Sequence, residues 1–371
     1  MKISLIIPSL QGGGAEKVVV NLANYWANIG YLVEVIQLRS GGEFESSLNK
    51  EIKVINLEAT RIRSCFIPLF KILKKSNPDL ILVSIFPLTI IVNIVWTILN
   101  LKGAYVAIEH NNLTKSISSR GWVSYLKNRL MAIMFYRMID NVIAVSNGVA
   151  RDLASFSLIP LDRINTIYNP IVLEKLPKNK ISKEDSLSLW HSIDGIRILT
   201  VGSLTQQKDQ KLLIKALSLI SKKIPFVCVV LGIGPLKDEL VKLTKFHGLQ
   251  ESIFFEGFVS NPSPYYLSAD VFILTSAWEG FGNVLVEALE CDLPIISTDC
   301  ESGPNEILNG GEFGVLVPVS DEIALKKAIE NFHLNKPLHP PGHIRAKDFS
   351  VEKAAALYEK LLIKGLVQDA K

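Results

Sequence analysis

Cysteine is scarce in this chain. Four are scattered over 371 residues, as Cys65, Cys228, Cys291 and Cys300, which excludes a disulfide framework. No two form a Cys-x-x-Cys pair, so neither a structural zinc site nor a redox dithiol is expected. Net charge is also low, +4 with His neutral, too mild to expect nucleic acid as a partner. No Asp-x-Asp pair occurs, so a metal-bridged diphosphate site of that kind has no visible ligands, and no metal or cofactor is expected. A Walker loop and a catalytic triad are missing too. Hydrophobic residues make up 48% and charged residues 20%, which excludes a disordered chain.

Long apolar runs are nearly absent as well. Ile3–Ile7 ends at Pro8 and a glycine loop, too short for a secretory signal, so a cytosolic chain is expected. The one long run is Leu80–Leu101, 22 residues without a charge, long enough to span a bilayer. Pro78 and Asp79 introduce Leu80–Ser84 as a short strand, and Pro87 suits the first turn of a helix. A buried strand followed by a buried helix is therefore the preferred reading.

What is present is an alternation of short apolar strands with amphipathic helices. Lys2–Ile7, Tyr31–Leu38, Val54–Leu57, Leu80–Ser84, Ala104–Ile108 and Asn141–Val145 read as strands, with a helix over about Ala15–Ile29. The pattern breaks near Asn169-Pro170 and resumes with strands at Arg197–Val201, Phe226–Leu231, Ile253–Glu256, Val271–Leu274, Ile295–Ser297 and Gly314–Val317. Helices are expected at Lys208–Ser221, Leu236–His247, Gly282–Glu290, Asp321–Phe332 and Val351–Leu366. This is α/β patterning, with doubly wound parallel sheets. The expected divisions are an N-terminal Rossmann-like domain over 1–170, a polar linker over 171–195 and a second Rossmann-like domain over 196–350. A final helix over 351–371 would pack back toward the first domain. Charge divides in the same place. Residues 1–170 hold 18 Lys and Arg against 11 Asp and Glu, and the rest hold 22 against 25.

Ligands of such sheets sit at the carboxyl ends of strands, so those loops carry the candidates. Gly12-Gly13-Gly14 follows the first strand and opens a helix. It suits an anion or is simply a tight turn, and it lacks the dinucleotide spacing. His110 ends the strand Ala104–Ile108, where it either faces ligand or is structural. Gly202-Ser203 with Lys208 suits a diphosphate, or leaves Lys208 as a solvated surface residue. Gly232-Ile233-Gly234-Pro235 leaves room for a flat base. In Trp278-Glu279-Gly280-Phe281-Gly282-Asn283, with Glu287 beyond it, two acids stand eight residues apart around a helix start. A carboxylate in the loop can accept from sugar hydroxyls, and one on the helix from a ribose diol. The alternative is a solvated helix with incidental acids.

Taken in order, these motifs resemble the family 4 retaining glycosyltransferases. Glu279 to Glu287 is the E-x7-E motif, and the Gly-Gly-Gly-Ala-Glu, His110, Val-Gly-x-Leu with Lys208, and Gly-x-Gly-Pro-Leu loops fall in family order. The resemblance implies the GT-B fold, two Rossmann-like domains facing a central cleft. It implies that Gly12, Gly13 and Gly14 approach the donor diphosphate and the acceptor, and that His110 contacts the donor sugar. Lys208, in the loop opened by Gly202, would neutralise the leaving diphosphate. Glu279 would hold sugar hydroxyls, while Phe281, Gly282 and Asn283 would lie against sugar and phosphate. Glu287 would bind the ribose, and Gly234 and Phe258 would flank the base. Ser203 stands where the family usually has Arg, so a bidentate phosphate contact is missing there.

The resemblance is to bacterial polysaccharide and lipid-linked oligosaccharide enzymes. It implies a metal-independent, retaining transfer from UDP-GalNAc or UDP-GlcNAc to a polyprenyl-diphosphate-linked glycan, with UDP-Gal or UDP-Glc as the next donors. Segments 61–75 and 120–137 mix basic with aromatic and aliphatic residues. They read either as anionic-membrane docking segments on the inner face of the inner membrane or as ordinary packed helices. The rival classes are an epimerase or phosphorylase of the same fold, and a non-catalytic sugar-nucleotide-binding assembly protein.

Overall fold

The computed structural model describes residues 1–119, 121–172, 188, 190, 195–220, 224–335 and 338–368, with side chains to residue 360. The chain forms two compact units, Met1–Val172 with Phe349–Lys371, and Leu173–Asp348. Most of the expected linker over 171–195 lies outside the described residues, as does Arg120.

The first unit is built on seven parallel strands: β1 Lys2–Ile7, β2 Leu32–Gln37, β3 Lys53–Asn56, β4 Leu80–Ser84, β5 Ala104–Glu109, β6 Asn141–Ala144 and β7 Ile164–Thr166. They are ordered β3-β2-β1-β4-β5-β6-β7. Its helices are α1 Gly14–Asn28, α2 Phe66–Ser76, α3 Leu88–Leu99, α4 Leu113–Ser118, α5 Trp122–Phe135 and α6 Asn147–Ser157. The central strands β4 and β5 are buried along their whole length, which is why they read as unbroken apolar runs rather than as alternations. The uncharged run Leu80–Leu101 becomes β4 and α3, and no described helix is long and apolar enough to cross a membrane. Strand β7 has no counterpart in the sequence reading. Three residues, Ile-Asn-Thr, are too short to show a period, and only pairing with β6 makes them a strand.

The C-terminal helix Val351–Gln368 belongs to this same unit. Ile171 N–H donates to Phe349 O at 2.8 Å where the chain returns. Beyond it, Trp26 Nε1 donates to Glu359 Oε1 at 3.2 Å, and the Trp26 ring meets Tyr358 edge-on.

The second unit has six parallel strands: β8 Ile196–Val201, β9 Phe226–Leu231, β10 Ile253–Gly257, β11 Val271–Leu274, β12 Ile295–Thr298 and β13 Val315–Val317. Their order is β10-β9-β8-β11-β12-β13. Helices α7 Gln210–Ser218, α8 Lys237–Phe246, α9 Ser263–Ser268, α10 Asn283–Glu290, α11 Pro304–Ile307, α12 Glu322–Asn335 and α13 Gly342–Ala346 accompany them. The core gathers Ile198, Val230, Ile273 and Ile296 from the sheet with Leu213, Leu217, Leu240 and Leu325 from the helices. One expected boundary is corrected. The helix assigned to begin at Lys208 begins at Gln210, because Lys208 N–H and Asp209 N–H both donate to Thr205 O and Asp209 turns left-handed at φ 41.

Both sheets reverse their strand order once, between β1 and β4 and between β8 and β11. In open α/β sheets the ligand crevice lies at the carboxyl ends of the strands beside such a reversal.

Candidate active site

In the second unit, the reversal brings the loop after β8 against the loop after β11. Thr275 Oγ1 donates to Lys208 O at 3.0 Å, and Ala277 N–H donates to Gln207 O at 2.8 Å. These tie Lys208 and Glu279 together: Lys208 Nζ lies 2.5 Å from Glu279 Oε1. Ser276 Oγ donates to the same oxygen at 2.6 Å. Glu279 is 4% exposed, and its buried carboxyl is satisfied by the lysine ammonium and the serine hydroxyl together. Lys208 reaches it by lying across Gly202. A Cβ at residue 202 would stand 3.3 Å from three of the lysine methylenes.

Beside this pair the chain enters α10. Gly282 caps the helix at φ 101, in the left-handed region that glycine tolerates best. Phe281 is buried, and its carbonyl is approached so closely by Gly303 that a Cβ there would stand 1.8 Å from the oxygen. The Phe281 side chain therefore belongs to the core, and only its backbone faces the helix start. Asn283 is the first residue of α10, and Glu287 stands one turn further on. Tyr266 Oη, from α9, donates to Glu287 Oε2 at 3.0 Å. Burial, and then the Glu287 carboxylate, raise the Tyr266 hydroxyl well above the usual phenol range, so it stays a donor.

The base-flanking candidates sit at the ends of β9 and β10. Gly232 N–H donates to Gly257 O at 2.7 Å, and Gly234 packs on the Leu204 backbone with no room for a Cβ. Ile233 and Phe258 are both largely exposed there, an apolar pair at the strand ends able to face a flat ring. Ser203 is exposed, with its hydroxyl 3.4 Å from that of Thr205.

In the first unit, His110 follows β5, and its Nε2 lies 3.2 Å from Ser84 Oγ at the end of β4. Its Nδ1 is buried without a hydrogen-bond partner. Burial pushes the imidazole down to about 3, so it is neutral at physiological pH. The following loop is fixed by Asn112, whose Oδ1 accepts from Lys115 N–H, and by Asp152, which accepts from Leu113 and Thr114 N–H. Around the glycine loop, Gly12 N–H donates to Glu43 Oε2 at 2.8 Å. The Glu16 carboxyl lies over Gly13, where a Cβ would meet Oε2 at 2.3 Å, and burial pushes it up to about 7.

Sequence reasoning misses Ser84, Ser276, Tyr266, Glu43 and Asp152, all of which touch a candidate residue or its loop. Serine and tyrosine are too common to stand out without their partners. Among the described residues, no three His, Cys, Asp or Glu come together as a metal would need. The thiol of Cys300 is pushed up to about 12 by burial, with the Glu279 charge adding to it, so it is no thiolate nucleophile.

Two Rossmann-like units, one carrying a lysine–glutamate pair and an E-x7-E helix start at its strand reversal, define a GT-B glycosyltransferase. Residues 12–175 match the family described as Glycosyltransferase Family 4, and residues 191–343 match Glycosyl transferases group 1. Between them the two matches take in most of the chain, and the chain belongs to glycosyltransferase family 4.

A Campylobacter jejuni N-acetylgalactosamine-N,N'-diacetylbacillosaminyl-diphospho-undecaprenol 4-alpha-N-acetylgalactosaminyltransferase is 34% identical over 235 residues, 62% of each chain. The matched part is thus less than two thirds of that relative's length. A second Campylobacter jejuni protein is 29% identical over 98% of both chains. It is a GalNAc-alpha-(1->4)-GalNAc-alpha-(1->3)-diNAcBac-PP-undecaprenol alpha-1,4-N-acetyl-D-galactosaminyltransferase. Among solved structures, Anabaena Alr3699/HepE in complex with UDP-glucose superposes with a TM-score of 0.81 at 20% identity, over 98% of this chain and 100% of that one. That likeness concerns the fold.

Proposed function

We propose that this chain transfers an N-acetylhexosamine, from UDP-GalNAc or UDP-GlcNAc, to a glycan carried on a polyprenyl diphosphate, with retention at the anomeric carbon and without a metal. The observation that carries the reading is the Lys208–Glu279 pair at the strand reversal of the second sheet. The names of the two Campylobacter relatives, both N-acetylgalactosaminyltransferases with undecaprenol-linked substrates, support the choice of sugar and acceptor class.

The roles follow from charge. Breaking the bond from the anomeric carbon to the diphosphate oxygen leaves negative charge on the diphosphate. Lys208 and the amides at the start of α10 meet that charge. Glu279, an acceptor, orients the sugar hydroxyls, and Glu287 orients the ribose diol with Tyr266 behind it. Phe258 and Gly234 flank the base. A neutral His110 serves as a hydrogen-bonding partner of the donor sugar rather than as a proton donor of its own. The acceptor hydroxyl forms the new bond on the face the diphosphate leaves, and its proton passes to a diphosphate oxygen. The glycine loop at residues 12–14, with Glu16 and Glu43 beside it, offers carboxylates as well as amides, which suits a hydroxyl-rich acceptor.

The lipid carrier calls for a membrane surface. On α5, Trp122, Val123, Leu126, Leu130 and Met134 are all more than half exposed, and they recur at helical spacing on one face. No acid occurs from residue 110 to residue 139, while Lys115, Lys127, Arg129 and Arg137 do. We place this face on an anionic leaflet, with the enzyme working at the cytoplasmic side of the inner membrane.

A panel of UDP-sugars with polyprenyl-diphosphate glycans as acceptors, read by mass, tests the activity. Transfer from an N-acetylhexosamine donor supports it. Transfer only from UDP-Gal or UDP-Glc would move the assignment to a hexosyltransferase, and UDP binding without any transfer would make the chain a binding protein.

A further inference from the structure

The first unit holds a buried acid that the proposed chemistry leaves unused. Glu109, the last residue of β5, is 1% exposed. Its Oε1 accepts from Tyr136 Oη and, at 3.5 Å, from Thr89 Oγ1, and the Phe86 ring stacks on that of Tyr136. Thr89 Oγ1 lies 3.3 Å from Tyr136 Oη, and Tyr105 Oη donates to Thr89 O. Strand β5, the turn after β4, helix α3 and the turn after α5 therefore meet around one carboxyl.

The turn after β4 needs holding. Ile85 sits at φ 75, a region that a β-branched side chain avoids and adopts only where the surroundings impose it. Three consecutive residues of β5 and its end impose it here. Ile108 O accepts the Ile85 N–H at 3.3 Å, Glu109 holds the hydroxyl of Tyr136, whose ring stacks on Phe86, and His110 meets Ser84. The strained turn lies at the carboxyl end of β4, beside the strand reversal.

We propose that Glu109 is a positioning residue, which holds the Ile85–Phe86 turn onto β5 and so keeps Ser84 and the His110 imidazole in the arrangement that turnover requires. Glu109 touches no substrate. The proposal rests on the role given above to His110. A carboxyl whose burial pushes it up to about 7 is also costly to keep inside a core for packing alone, and an amide or an apolar residue would serve that purpose better.

The test uses Glu109→Gln, Tyr136→Phe and, as control, Glu34→Gln. Glu34 is a buried acid of the same unit, bonded to Ser4 and Ser76. Glu109→Gln is expected to lower kcat about ten-fold or more, with the donor KM and UDP affinity within about two-fold of the parent, the signature of a lost transition-state arrangement. Tyr136→Phe lowers kcat in the same direction by roughly three-fold. Glu34→Gln lowers Tm and leaves kcat alone. The His110 ring resonances, assigned with His110→Gln, shift in the first two variants and not in the control. That readout needs no turnover, so a chain with no transferase activity would fail the proposed function while still deciding the positioning role. The role is overturned if Glu109→Gln keeps kcat within two-fold and leaves the His110 resonances in place. It is equally overturned if kcat, KM and UDP affinity all worsen in step with Tm. Should Glu109→Gln not fold, Tyr136→Phe decides, and unchanged kcat and resonances there overturn the proposal.

Discussion

Lys208 Nζ lies 2.5 Å from Glu279 Oε1, joining two residues 71 positions apart in the chain. Each is held by the other's loop, and each side chain is largely buried, 16% and 5% exposed. Removing either partner leaves a buried charge uncompensated. Lys208→Met and Glu279→Gln should each destabilise the second unit by about 3 kcal/mol, and the double variant should recover much of that loss. Denaturant melts of all three check it. A double variant no more stable than the sum of its parts would mean the pair is not coupled.

The same residues should matter to turnover more than their stability cost explains. Below the melting range, Lys208→Met is expected to lower kcat by roughly 10²–10³ through lost stabilisation of the leaving diphosphate. Glu279→Gln should do similar damage. Steady-state kinetics with a UDP-sugar distinguishes this from a KM effect.

Tyr266→Phe removes the donor to Glu287 Oε2 without changing charge or volume much. Glu287 loses its fixed orientation, and the expected result is a donor KM raised about three- to ten-fold with kcat nearly unchanged. UDP titration by calorimetry should show the same loss.

Glu109 gives a pH signature in stability. Burial raises its pKa from 4.5 to about 7, with Asp152 adding a little and Tyr136, Phe86 N–H and Thr89 opposing. Tyr105 faces the same cluster. Between those two pH values the folded chain binds more protons than the unfolded one, so stability falls as pH rises through the window. The loss amounts to about 3 kcal/mol by pH 8. Glu16 titrates over the same range, so the measurement is the difference between parent and Glu109→Gln melts from pH 4.5 to 8. A parent slope that the variant fully retains would contradict the assignment.

Leu126→Glu with Leu130→Glu reverses the character of the α5 face. Both positions are exposed, so Tm should stay within a degree or two, while flotation with anionic vesicles is lost. Flotation of the parent should weaken with salt. Salt-independent flotation, or none, would remove the membrane face from the mechanism.

Much of the architecture is legible in the residue pattern. β1, β4, β9 and β11 run as that pattern bounds them, because buried parallel strands read as apolar runs ended by polar, glycine or proline residues. Leu80–Leu101 divides into strand and helix for the same local reason, the prolines at 78 and 87. The start of α7 is misread because Lys208 looks helical, and only the Thr205 turn holds it out of the helix. Ser84, Ser276 and Tyr266 give no signal, since what marks them is a partner 26, 3 and 21 residues away.

The chain alone determined the alternation of strand and helix, the loops that carry glycine, acid and lysine, and with them the family. Those are local properties: period, turn residues and helix starts are written within a dozen residues. Only the tertiary structure decided which loops meet. Strand order reverses between β1 and β4 and between β8 and β11. The β8–β11 pairing at the second reversal places Lys208 against Glu279. The β4–β5 pairing places Ser84 against His110 and sets the strained Ile85 turn beside the buried Glu109. A parallel sheet joins strands through crossovers, so neighbours in its crevice are distant in the chain, and their chemistry exists only once the sheet is assembled.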